Sequence, residues 1–451
     1  MKSPSIQSNS SPVSTEWDGL NVYVMGLGRF GGGVGVTKYL SAQGASVLVG
    51  DSANRDSLQT SIQALGNEFE LGSVRLSIGP HDECDLQGMD VLVVNPAVPQ
   101  PWSNQFITYA KQHGIRITTE IEIAYRLLNP ANIIAVTGSA GKSTTCAMIH
   151  HALESLGRSS ILGGNIGGSL LDQAHAMSDQ TSVVLELSSA MLHWLGESNA
   201  FEDSPPRVGC ITNWTPNHLD WHGDIHHYKS SKQVLAQFAQ HLVVGEGVAD
   251  WGDGVVVRHK DIVPSCTIPG RHNGLNAAMA VESILQLLNV QSRDSVVQAV
   301  QSFAGLPHRL QMVHEVKGIR FYNDSKCTVP EATLLAIDAI ADIAKKSKIH
   351  LIAGGYDKGS DLRSIASLTP ELAGLYCIGA TGSRLELSAA HPNAMNCDHL
   401  ESAMSLIFER IKDGDIVLLS PGCASWDQFA NYEKRGERFA ELAQSLSRRL
   451  K

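Results

Sequence analysis

The sequence predicts an α/β protein of three domains, built mainly on parallel sheets. Apolar, β-rich runs alternate with helical segments along most of the chain, as they do when crossover helices join parallel strands. Two of these runs lead into glycine-rich loops of the kind that bind phosphates. The length of 451 residues is enough for roughly three domains of about 150 residues each.

The first glycine-rich loop lies near the N-terminus. The strand-like run Asn21 to Met25 leads into GLGRFG, residues 26–31, and SVLVGD places Asp51 at the end of a second strand. Asp51 follows Gly31 by twenty residues, the spacing of a Rossmann-like half that cradles a diphosphate. A nicotinamide dinucleotide is one ligand with this geometry, and other diphosphates share it. A further apolar run, Asp90 to Pro99, is a strand ended by prolines.

The second glycine-rich loop, within AVTGSAGKSTT at residues 135–145, lies between a strand and a helix. The apolar run Asn132 to Val136 comes before it. Apolar residues follow it at helical spacing until Gly157, and these are Ile149, Ala152, Leu153 and Leu156. The order strand, loop and helix is the arrangement of an anion-binding loop.

The residues of this second loop indicate a triphosphate. Gly138 and Gly141 let backbone N–H groups turn toward an anion at the positive end of the helix. Lys142 adds a positive charge, and Ser143 or Thr144 adds a hydroxyl for Mg²⁺. The sequence therefore predicts that the loop binds a nucleoside triphosphate. The general phosphate-loop motif has another glycine where this chain has valine, so a chance glycine turn is the alternative.

The C-terminal third repeats the alternation of strands and helices. Four strand-like runs, IRFYNDSK, IHLIAGG, LYCIGATG and GDIVLLSPG, are separated by helical stretches. The last helix has apolar residues on one face, namely Phe439, Leu442, Leu446 and Leu450. We therefore predict a Rossmann-like N-terminal domain at 1–117, a central P-loop ATPase-like domain with a parallel sheet at 118–306, and a Rossmann-like C-terminal domain at 307–451. The polar start, residues 1–16, is expected to be disordered.

Composition excludes several classes of protein. The formal net charge is −10 and no basic run stands out, so we expect no nucleic-acid partner. No apolar run approaches the ~18 residues of a membrane span, and the start of the chain lacks the apolar segment of a signal peptide. The eight cysteines form no CxxC pair, which indicates reduced thiols in a cytoplasmic protein. Small anionic substrates would then bind in local basic pockets.

Polar residues at the ends of strands are candidates for the site, because ligands of such sheets bind at the carboxyl ends of the strands. Glu186 and Ser188 follow the apolar run Val183 to Leu185. Asn213, His218, Asp220 and His222 follow another short strand. Glu186 and His218 can hold a divalent cation near the triphosphate. The run His218, His222, His226 and His227 also allows a zinc site, or surface and helix-capping histidines, and we single out His218.

Nine short motifs match one family in one order. They are TGSAGKST, GGNIGG, ELSS, TPNHLDWHG with YKSSK, PGRHNGLNA, GLPHRL, NDSKCT, GGYDKG and SPGCASWDQF, and they span the chain from about residue 118 to the end. With these motifs the chain resembles the Mur ligases, ATP-dependent amide-forming enzymes of peptidoglycan precursor synthesis, and among them the branch that adds D-glutamate to UDP-N-acetylmuramoyl-L-alanine. The resemblance implies that a substrate carboxylate is activated as an acyl phosphate and then attacked by the amine of an amino acid.

The resemblance also implies catalytic and metal-binding residues. Lys142 and Ser143 would serve the phosphates of ATP and a first Mg²⁺, with Glu186 on the metals and His218 on a second Mg²⁺. Lys232, the second lysine of YKSSK, matches the family's carbamoylated lysine, an anion that helps to hold the second metal. From spacing alone, Lys232 would be a solvated helix lysine. The implied catalytic residues are Lys142, His218 and Lys232.

Binding residues follow from the same motifs. The ATP-binding residues implied are Gly138, Ser139, Ala140, Gly141, Lys142, Ser143, Thr144, Asn273, Asn276, Arg309, Asp324 and Lys326. The UDP-substrate would be bound by Gly28, Arg29, Phe30, Gly31, Asp51, Asn165 and Ser188. The amino acid would be met by Thr328, Lys358, Ser425, Trp426 and the backbone near Tyr432. The family also implies a monomer that acts on small molecules.

Some strings depart from the family pattern and leave alternatives open. ELSSAML replaces the usual ELSSFQL, Trp426 stands where a smaller aliphatic residue is common, and Tyr432 stands where phenylalanine is usual. A sister ligase that adds L-alanine to the muramate, or glutamate to a folate, would share the phosphate loop. A nicotinamide-dependent oxidoreductase and a non-catalytic nucleotide-binding module are the alternatives from other classes.

Overall fold

The computed structural model describes residues 16–28, 31–66, 68, 72–263, 268–288 and 292–449. The predicted polar tail, apart from Glu16, lies outside these residues, as does Leu450. The chain forms two compact units: one comprises Met1–Cys146, Gly157–Val257 and Glu282–Gln291, and the other comprises Ala147–Leu156, Arg258–Val281 and Ser292–Lys451. In the described part of the chain, no helix is both long and apolar enough to span a membrane.

The first sheet, in the first unit, is five-stranded and parallel throughout. Its strands are β1 Asn21–Met25, β2 Ser46–Asp51, β3 Val74–Ile78, β4 Val91–Val94 and β5 Arg116–Thr119. Its helices are α1 Gly32–Ala42, α2 Gln59–Leu65, α3 Gln105–Gln112 and α4 Glu120–Arg126. The order β3-β2-β1-β4-β5 reverses between β1 and β4, where doubly wound sheets bind ligands. The Rossmann-like prediction is confirmed, and the sheet extends to Thr119, past the predicted boundary at residue 117.

The second sheet, also in the first unit, is six-stranded and parallel throughout. Its strands are β6 Ile133–Thr137, β7 Ser160–Gly164, β8 Ser182–Glu186, β9 Val208–Ile211, β10 His241–Gly245 and β11 Val255–Val257. The helices along this part of the chain are α5 Lys142–Ser155, α6 Ser189–Glu197, α7 Ala200–Asp203, α8 Leu219–His222 and α9 Ile225–Phe238. In the order β11-β10-β9-β6-β8-β7, β6 is central, and every one of its residues is buried. The phosphate loop therefore starts from the interior of the sheet.

The third sheet, in the second unit, has six strands. They are β12 Gln311–Val316, β13 Ile319–Asn323, β14 Ile349–Gly354, β15 Gly374–Ile378, β16 Ala394–Asp398 and β17 Ile416–Leu419. Helices α10 Arg271–Leu288 and α11 Arg293–Gln301 precede it; α12 Pro330–Ala341, α13 Arg363–Ala366, α14 Gly382–Ala389, α15 Leu400–Arg410 and α16 Tyr432–Arg449 follow or connect its strands. The order is β12-β13-β17-β14-β15-β16. Only the β12 and β13 pairing is antiparallel among its described ladders.

Side-chain caps set several helix starts in the first unit. The Thr119 hydroxyl accepts a hydrogen bond from the backbone N–H of Glu122 at the start of α4. Ser188 accepts from Met191 N–H at the start of α6, and the Asp224 carboxylate accepts from His226 and His227 N–H at the start of α9. These caps satisfy N–H groups that the first turn leaves without partners. Short 3₁₀ helices occur at Asp56–Leu58, Glu83–Leu86, Pro130–Asn132, Leu170–Ala176, Glu246–Trp251, His259–Asp261, Lys346–Lys348 and Thr369–Glu371.

Candidate active site

The phosphate loop joins β6 to α5 as the sequence predicts, and its glycines are required by its shape. Gly138 has φ 148° and Gly141 has φ 83°, in the left-handed region that side chains disfavour. A Cβ atom on Gly138 would lie 2.0 Å from the Thr212 hydroxyl oxygen. Any larger residue at Gly138 would therefore displace the segment that follows β9.

That segment braces the phosphate loop. The Asn213 side-chain oxygen accepts a hydrogen bond from Ala140 N–H at 2.9 Å, and the Thr212 hydroxyl donates to the Ala140 carbonyl at 2.6 Å. The Ser139 hydroxyl donates to the Thr215 carbonyl at 2.8 Å. The Lys142 ammonium in turn donates to the Gly138 carbonyl at 3.0 Å. The loop is therefore held in its shape by the protein itself, which is the preorganisation that phosphate binding needs.

Glu186 provides a buried carboxylate next to the phosphate loop. It is the last residue of β8 and is 1% exposed. Its Oε1 accepts a hydrogen bond from the Asn165 side-chain amide at 2.9 Å, whereas its Oε2 is buried and has no hydrogen-bond partner among the residues that the structure describes. A buried carboxylate oxygen without a partner is costly. Oxygen ligands are the ones Mg²⁺ prefers, so the chemistry of Glu186 fits a magnesium ion.

Lys232 is buried beside the phosphate loop. It lies on α9, is 2% exposed, and donates hydrogen bonds to the Thr137 hydroxyl at 3.2 Å and the Gly138 carbonyl at 3.0 Å. Burial and the charge of Lys142 lower its pKa to about 7, with Glu186 acting in the opposite direction. A large share of Lys232 is therefore an uncharged amine at neutral pH. The interpretation from spacing alone, a solvated helix lysine, is wrong.

His218 immediately precedes α8 and has a left-handed backbone, with φ 52°. Burial and the charge of Lys142 lower its pKa; Lys232 adds to this effect and Asp220 opposes it. The ring is therefore neutral at physiological pH, which is the form that binds metals. These interactions bring His218, Lys142 and Lys232 into one electrostatic cluster.

Two of the other histidines of the run, His222 and His227, pack together, whereas His226 is exposed. The Nδ1 atoms of His222 and His227 lie 2.8 Å apart, and His222 Nε2 lies 2.8 Å from the Ser189 hydroxyl. Burial lowers the pKa of His222 to about 3. Among the described residues, no group of three or more His, Cys, Asp or Glu side chains is arranged to hold a metal ion. The structure thus gives no support to the zinc alternative.

A cavity of ≈ 530 Å³ in the first unit is lined by three of the predicted substrate residues, Gly28, Asn165 and Ser188, and by His218, which was predicted to bind a metal. Gly31 and Asp51 do not line it. Asp51 lies behind the glycine loop, where its carboxylate accepts hydrogen bonds from the backbone N–H groups of Gly28 at 3.0 Å and Ala53 at 2.8 Å. Asp51 therefore shapes the loop, and Gly31 is the N-cap of α1.

The remaining two predicted residues of that loop, Arg29 and Phe30, lie outside the described residues.

Glu120 also lines this cavity, although the sequence did not single it out. It accepts a hydrogen bond from the Ser169 hydroxyl at 2.6 Å. Burial raises its pKa, and the Ser169 hydrogen bond opposes this shift. The available signal was an acidic residue directly after a strand, but acidic residues at helix starts are common for reasons of capping alone.

The NDSK turn of the second unit follows β13. Asp324 is buried, with Oδ2 accepting from the Ser420 hydroxyl at 2.7 Å and Oδ1 accepting from Leu310 N–H at 3.2 Å. Burial raises the pKa of Asp324 to about 7, and the charge of Arg309 opposes the shift. The Lys326 ammonium lies 5.5 Å from the Tyr432 ring centroid. The structure thus brings Arg309, Asp324, Lys326 and Tyr432 together.

The two asparagines of the PGRHNGLNA motif are buried on α10. The Asn273 side-chain amide donates to the Pro269 carbonyl at 2.7 Å, and the Asn276 amide donates to the Asn273 side-chain oxygen at 3.4 Å. The start of this helix is therefore fixed by its own side chains.

Lys358, Ser425 and Trp426 come together on two loops of the third sheet. The Lys358 ammonium lies 4.5 Å from the Trp426 ring centroid, and Ser425 is buried. The loops are joined by a hydrogen bond of 2.9 Å from Tyr356 N–H to the Ala424 carbonyl. Thr328 lies half-buried between the NDSK turn and α12.

Arg435 connects these loops and was not identified from the sequence. It lies on α16 and is 1% exposed. Its guanidinium donates to the Ser325 hydroxyl and carbonyl at 3.0 and 2.9 Å, to the Cys423 carbonyl at 3.0 Å and to the Ala424 carbonyl at 3.2 Å. Burial lowers its pKa to about 10. Arg435 therefore links the NDSK turn to the segment that carries Ser425. This role cannot be predicted from the sequence, in which Arg435 resembles any other arginine of a helix.

Three family models match successive parts of the chain. A MurD-like N-terminal domain of Mur ligases matches residues 20–119, the Mur ligase middle domain matches 136–245, and the glutamate ligase domain of Mur ligases matches 308–423. The N-terminal glycine loop thus lies in a Mur ligase domain, which gives the nicotinamide alternative no support.

Curated relatives extend over nearly the whole chain. The UDP-N-acetylmuramoylalanine–D-glutamate ligase of Koribacter versatilis is 32% identical over 95% of this chain and 98% of that protein. The ligases of the same name from Caldanaerobacter subterraneus and Pelotomaculum thermopropionicum are 31% and 32% identical, each over 95% of this chain and 98% of their own length.

Solved structures share the fold at lower identity. MurF ligase from Thermotoga maritima in complex with ADP has a TM-score of 0.55 at 16% identity, covering 97% of this chain and 98% of that one. MurF from Acinetobacter baumannii has a TM-score of 0.52 at 15% identity, covering 90% of this chain and 86% of that one. With its three sheets, its three domain matches and relatives above 30% identity along their length, the chain belongs to the Mur ligase family.

Proposed function

We propose that this chain is an ATP-dependent ligase that adds D-glutamate to UDP-N-acetylmuramoyl-L-alanine in peptidoglycan precursor synthesis. Relatives of nearly the same extent carry the name of that ligase. The observation that carries the proposal is the cluster at the phosphate loop. There Glu186, with a buried oxygen that has no hydrogen-bond partner among the described residues, interacts electrostatically with Lys232, which also feels the charge of Lys142. We propose that the chain acts in the cytoplasm, as a monomer, on small molecules only.

The reaction proceeds in two steps. An oxygen of the substrate carboxylate attacks the γ-phosphorus of ATP, the bond from that phosphorus to its bridging oxygen breaks, and ADP leaves. The amine of the amino acid then attacks the acyl carbon and loses a proton, while the bond from carbon to the phosphate oxygen breaks and phosphate leaves. Activation makes phosphate, rather than hydroxide, the leaving group. The protein must therefore neutralise charge and align reactants.

The phosphate loop and its neighbours supply the charge neutralisation. Backbone N–H groups of residues 141–144, at the start of α5, and the Lys142 ammonium bind the phosphates, while Gly138, Ser139 and Ala140 complete the proposed ATP site. The residues that would hold magnesium are Ser143, Glu186, His218 and the carbamate of Lys232. Magnesium, when bound, lowers the charge repulsion between the triphosphate and the attacking carboxylate. We propose that two magnesium ions bind at this site.

The proposed carbamate forms on the buried amine of Lys232. The nitrogen lone pair attacks the carbon of CO₂. A nitrogen–carbon bond forms while one C=O π bond breaks and its electron pair moves to the oxygen, and the nitrogen releases a proton to water. Only the uncharged amine can do this, and a pKa of about 7 supplies it at neutral pH. The product is an anion beside Lys142, where a positive lysine would repel a metal ion.

The remaining assignments divide between the two units. In the first unit, the cavity lined by Gly28, Asn165 and Ser188 would hold the UDP-muramoyl substrate, with Arg29, Phe30, Gly31 and Asp51 forming the glycine loop. In the second unit, ATP would meet Asn273, Asn276, Arg309, Asp324 and Lys326. The amino acid would meet Thr328, Lys358, Ser425, Trp426 and the backbone near Tyr432. We propose three domains, with the first ending after β5.

Phosphate release tests this proposal. The assay contains ATP, Mg²⁺ and UDP-N-acetylmuramoyl-L-alanine, and each amino acid is offered in turn, including both enantiomers of glutamate. Release with D-glutamate alone is expected. Release with a different amino acid would support ligase activity but would show that D-glutamate is not the substrate. Absence of release with every amino acid, in a sample that binds ATP, would contradict the proposed ligase.

A further inference from the structure

We propose that Trp426 is a positioning and specificity residue, whose indole ring holds the Lys358 ammonium where it meets the side-chain carboxylate of the incoming amino acid. The inference rests on the proposed function, which assigns Lys358 to the amino acid. It adds a physical role for a residue that departs from the family pattern.

The contact between the two side chains has the geometry of a cation–π interaction. The Lys358 nitrogen lies 4.5 Å from the Trp426 ring centroid, inside the ~6 Å within which the ring quadrupole attracts a cation. The Tyr356 ring lies 5.6 Å from the Trp426 ring, tilted by 56°. Trp426 is 62% exposed and Tyr356 is 42% exposed. The indole is therefore held beside a second ring yet remains accessible to a ligand.

The charges of this loop leave Lys358 uncompensated. Asp357 forms an ion pair of 3.0 Å with Arg384, and Asp361 forms one of 2.6 Å with Arg363. Within the described residues, no carboxylate lies within 4.0 Å of the Lys358 nitrogen. The acids of the loop thus have arginine partners, whereas the lysine has an aromatic ring. A ring attracts an ammonium without neutralising it, so the charge stays available for an anionic ligand.

The backbone fixes the ring relative to the lysine. Tyr356 N–H donates to the Ala424 carbonyl at 2.9 Å, and the buried Arg435 donates to that same carbonyl at 3.2 Å. Tyr356 comes two residues before Lys358, and Ala424 comes two residues before Trp426. The two hydrogen bonds to the Ala424 carbonyl therefore restrict the position of the indole ring, and the ring restricts the flexible side chain of Lys358.

A chemical selectivity follows from this arrangement. A carboxylate that reaches the restrained ammonium gains an ion pair without displacing another acid, and the ring face excludes water from one side of the contact. A neutral amide of the same shape gains no ion pair. Trp426 is therefore expected to favour an amino acid whose side chain ends in a carboxylate.

Steady-state kinetics of the full chain test the role of the ring. Trp426→Leu is expected to raise KM for D-glutamate about fivefold to tenfold, a loss of the size of one cation–π contact. The values of kcat and of KM for ATP and for the UDP substrate should stay within about twofold. Trp426→Phe keeps a π face and should recover most of the lost affinity. Leu387→Ala, at a residue 77% exposed in the same unit, is the control for a change at the surface.

A double-mutant cycle isolates the pair. In a Lys358→Met background, the further change Trp426→Leu should alter KM for D-glutamate by less than about twofold, because the cation it acts on is gone. An equal rise of KM in both backgrounds, or an unchanged KM in Trp426→Leu, would overturn the inference.

Lysine labelling separates this inference from the proposed function, because it needs no substrate. Limited acetylation followed by mass spectrometry should show Lys358 reacting faster in Trp426→Leu than in the unmodified chain, while exposed Lys434 is unchanged. If the unmodified chain adds no amino acid to the UDP substrate but Trp426 still slows the acetylation of Lys358, the proposed function is wrong and the contact between Lys358 and Trp426 is confirmed. Equal reactivity of Lys358 in both proteins would overturn the contact itself.

Discussion

The Lys232 ammonium lies 3.0 Å from the carbonyl oxygen of Gly138, the first residue of the phosphate loop. A lysine of α9 is thereby buried against the loop that also carries Lys142. Because burial and the second charge both disfavour the ammonium form, the pKa of Lys232 falls to about 7. Lys232, which resembles a surface lysine in the sequence, is therefore uncharged in a large share of molecules at neutral pH.

Activity should therefore depend on CO₂ and on pH. Lys232 is protonated below about pH 7, so carbamate formation should rise as pH increases from about 6 to about 8. In CO₂-depleted buffer, turnover should fall and bicarbonate should restore it, most effectively at the higher pH. Lys232→Met should lose at least about a hundredfold in kcat and show no response to bicarbonate. A bicarbonate response that persists in this variant would contradict the assignment.

Glu186→Gln should separate activity from stability. The glutamine oxygen can still accept a hydrogen bond from Asn165, while the NH₂ group replaces the buried oxygen, which has no partner in the described part of the chain. Turnover should fall at least about a hundredfold, with a higher Mg²⁺ requirement. Tm should change little, because glutamine keeps the shape of the side chain, and the lost attraction to Lys232 opposes the gain from removing a buried carboxylate. Glu202→Gln, at an exposed residue of α7, is the control. A large drop in Tm together with unchanged Mg²⁺ dependence would contradict this account.

Lys142→Ala and Lys358→Ala should fail in different ways. Lys142 lies on the phosphate loop, so its removal should abolish turnover through lost stabilisation of the phosphates. Lys358 lies near Trp426 and Ser425, so its removal should mainly raise KM for the amino acid. The measurement is kcat and the three KM values for each variant. Comparable losses of turnover with an unchanged amino-acid KM in both variants would contradict this division of roles.

Arg435→Met should destabilise the second unit by about 3 kcal/mol, because it strips the Ser325, Cys423 and Ala424 carbonyls of a buried donor. Urea unfolding measures the loss. Arg438→Met is a matched control on the same helix, where the arginine is exposed and pairs with Glu401 and Glu441, and should cost less than about 1 kcal/mol. Equal stabilities of the two variants would refute the bracing role.

Much of the fold can be predicted from the sequence, because the local pattern of apolar residues agrees with the tertiary structure. The apolar runs predict the strands β1, β2 and β6, and Gly157 follows the end of α5 at Ser155. β5 was not recognised as part of the first sheet, since its four residues carry too little pattern to show their pairing with β4.

The site was predicted wherever a motif carries the chemistry, as in the phosphate loop. Burial could not be predicted: neither the exposure of Lys232 nor the partners of Arg435 follow from spacing on a helix. Glu120 and Asn213 were similarly ambiguous, because their roles depend on Ser169 and on the backbone of Ala140, residues distant in sequence.

Oxygen transfer from substrate to phosphate shows whether the substrate carboxylate is activated as an acyl phosphate. The UDP-N-acetylmuramoyl-L-alanine carboxylate is labelled with ¹⁸O, and the phosphate released with ATP, Mg²⁺ and D-glutamate is analysed by mass spectrometry. We expect one ¹⁸O in each phosphate and the other in the product amide, because the acyl–oxygen bond breaks. Unlabelled phosphate, formed with or without an amide product, would contradict an acyl-phosphate mechanism.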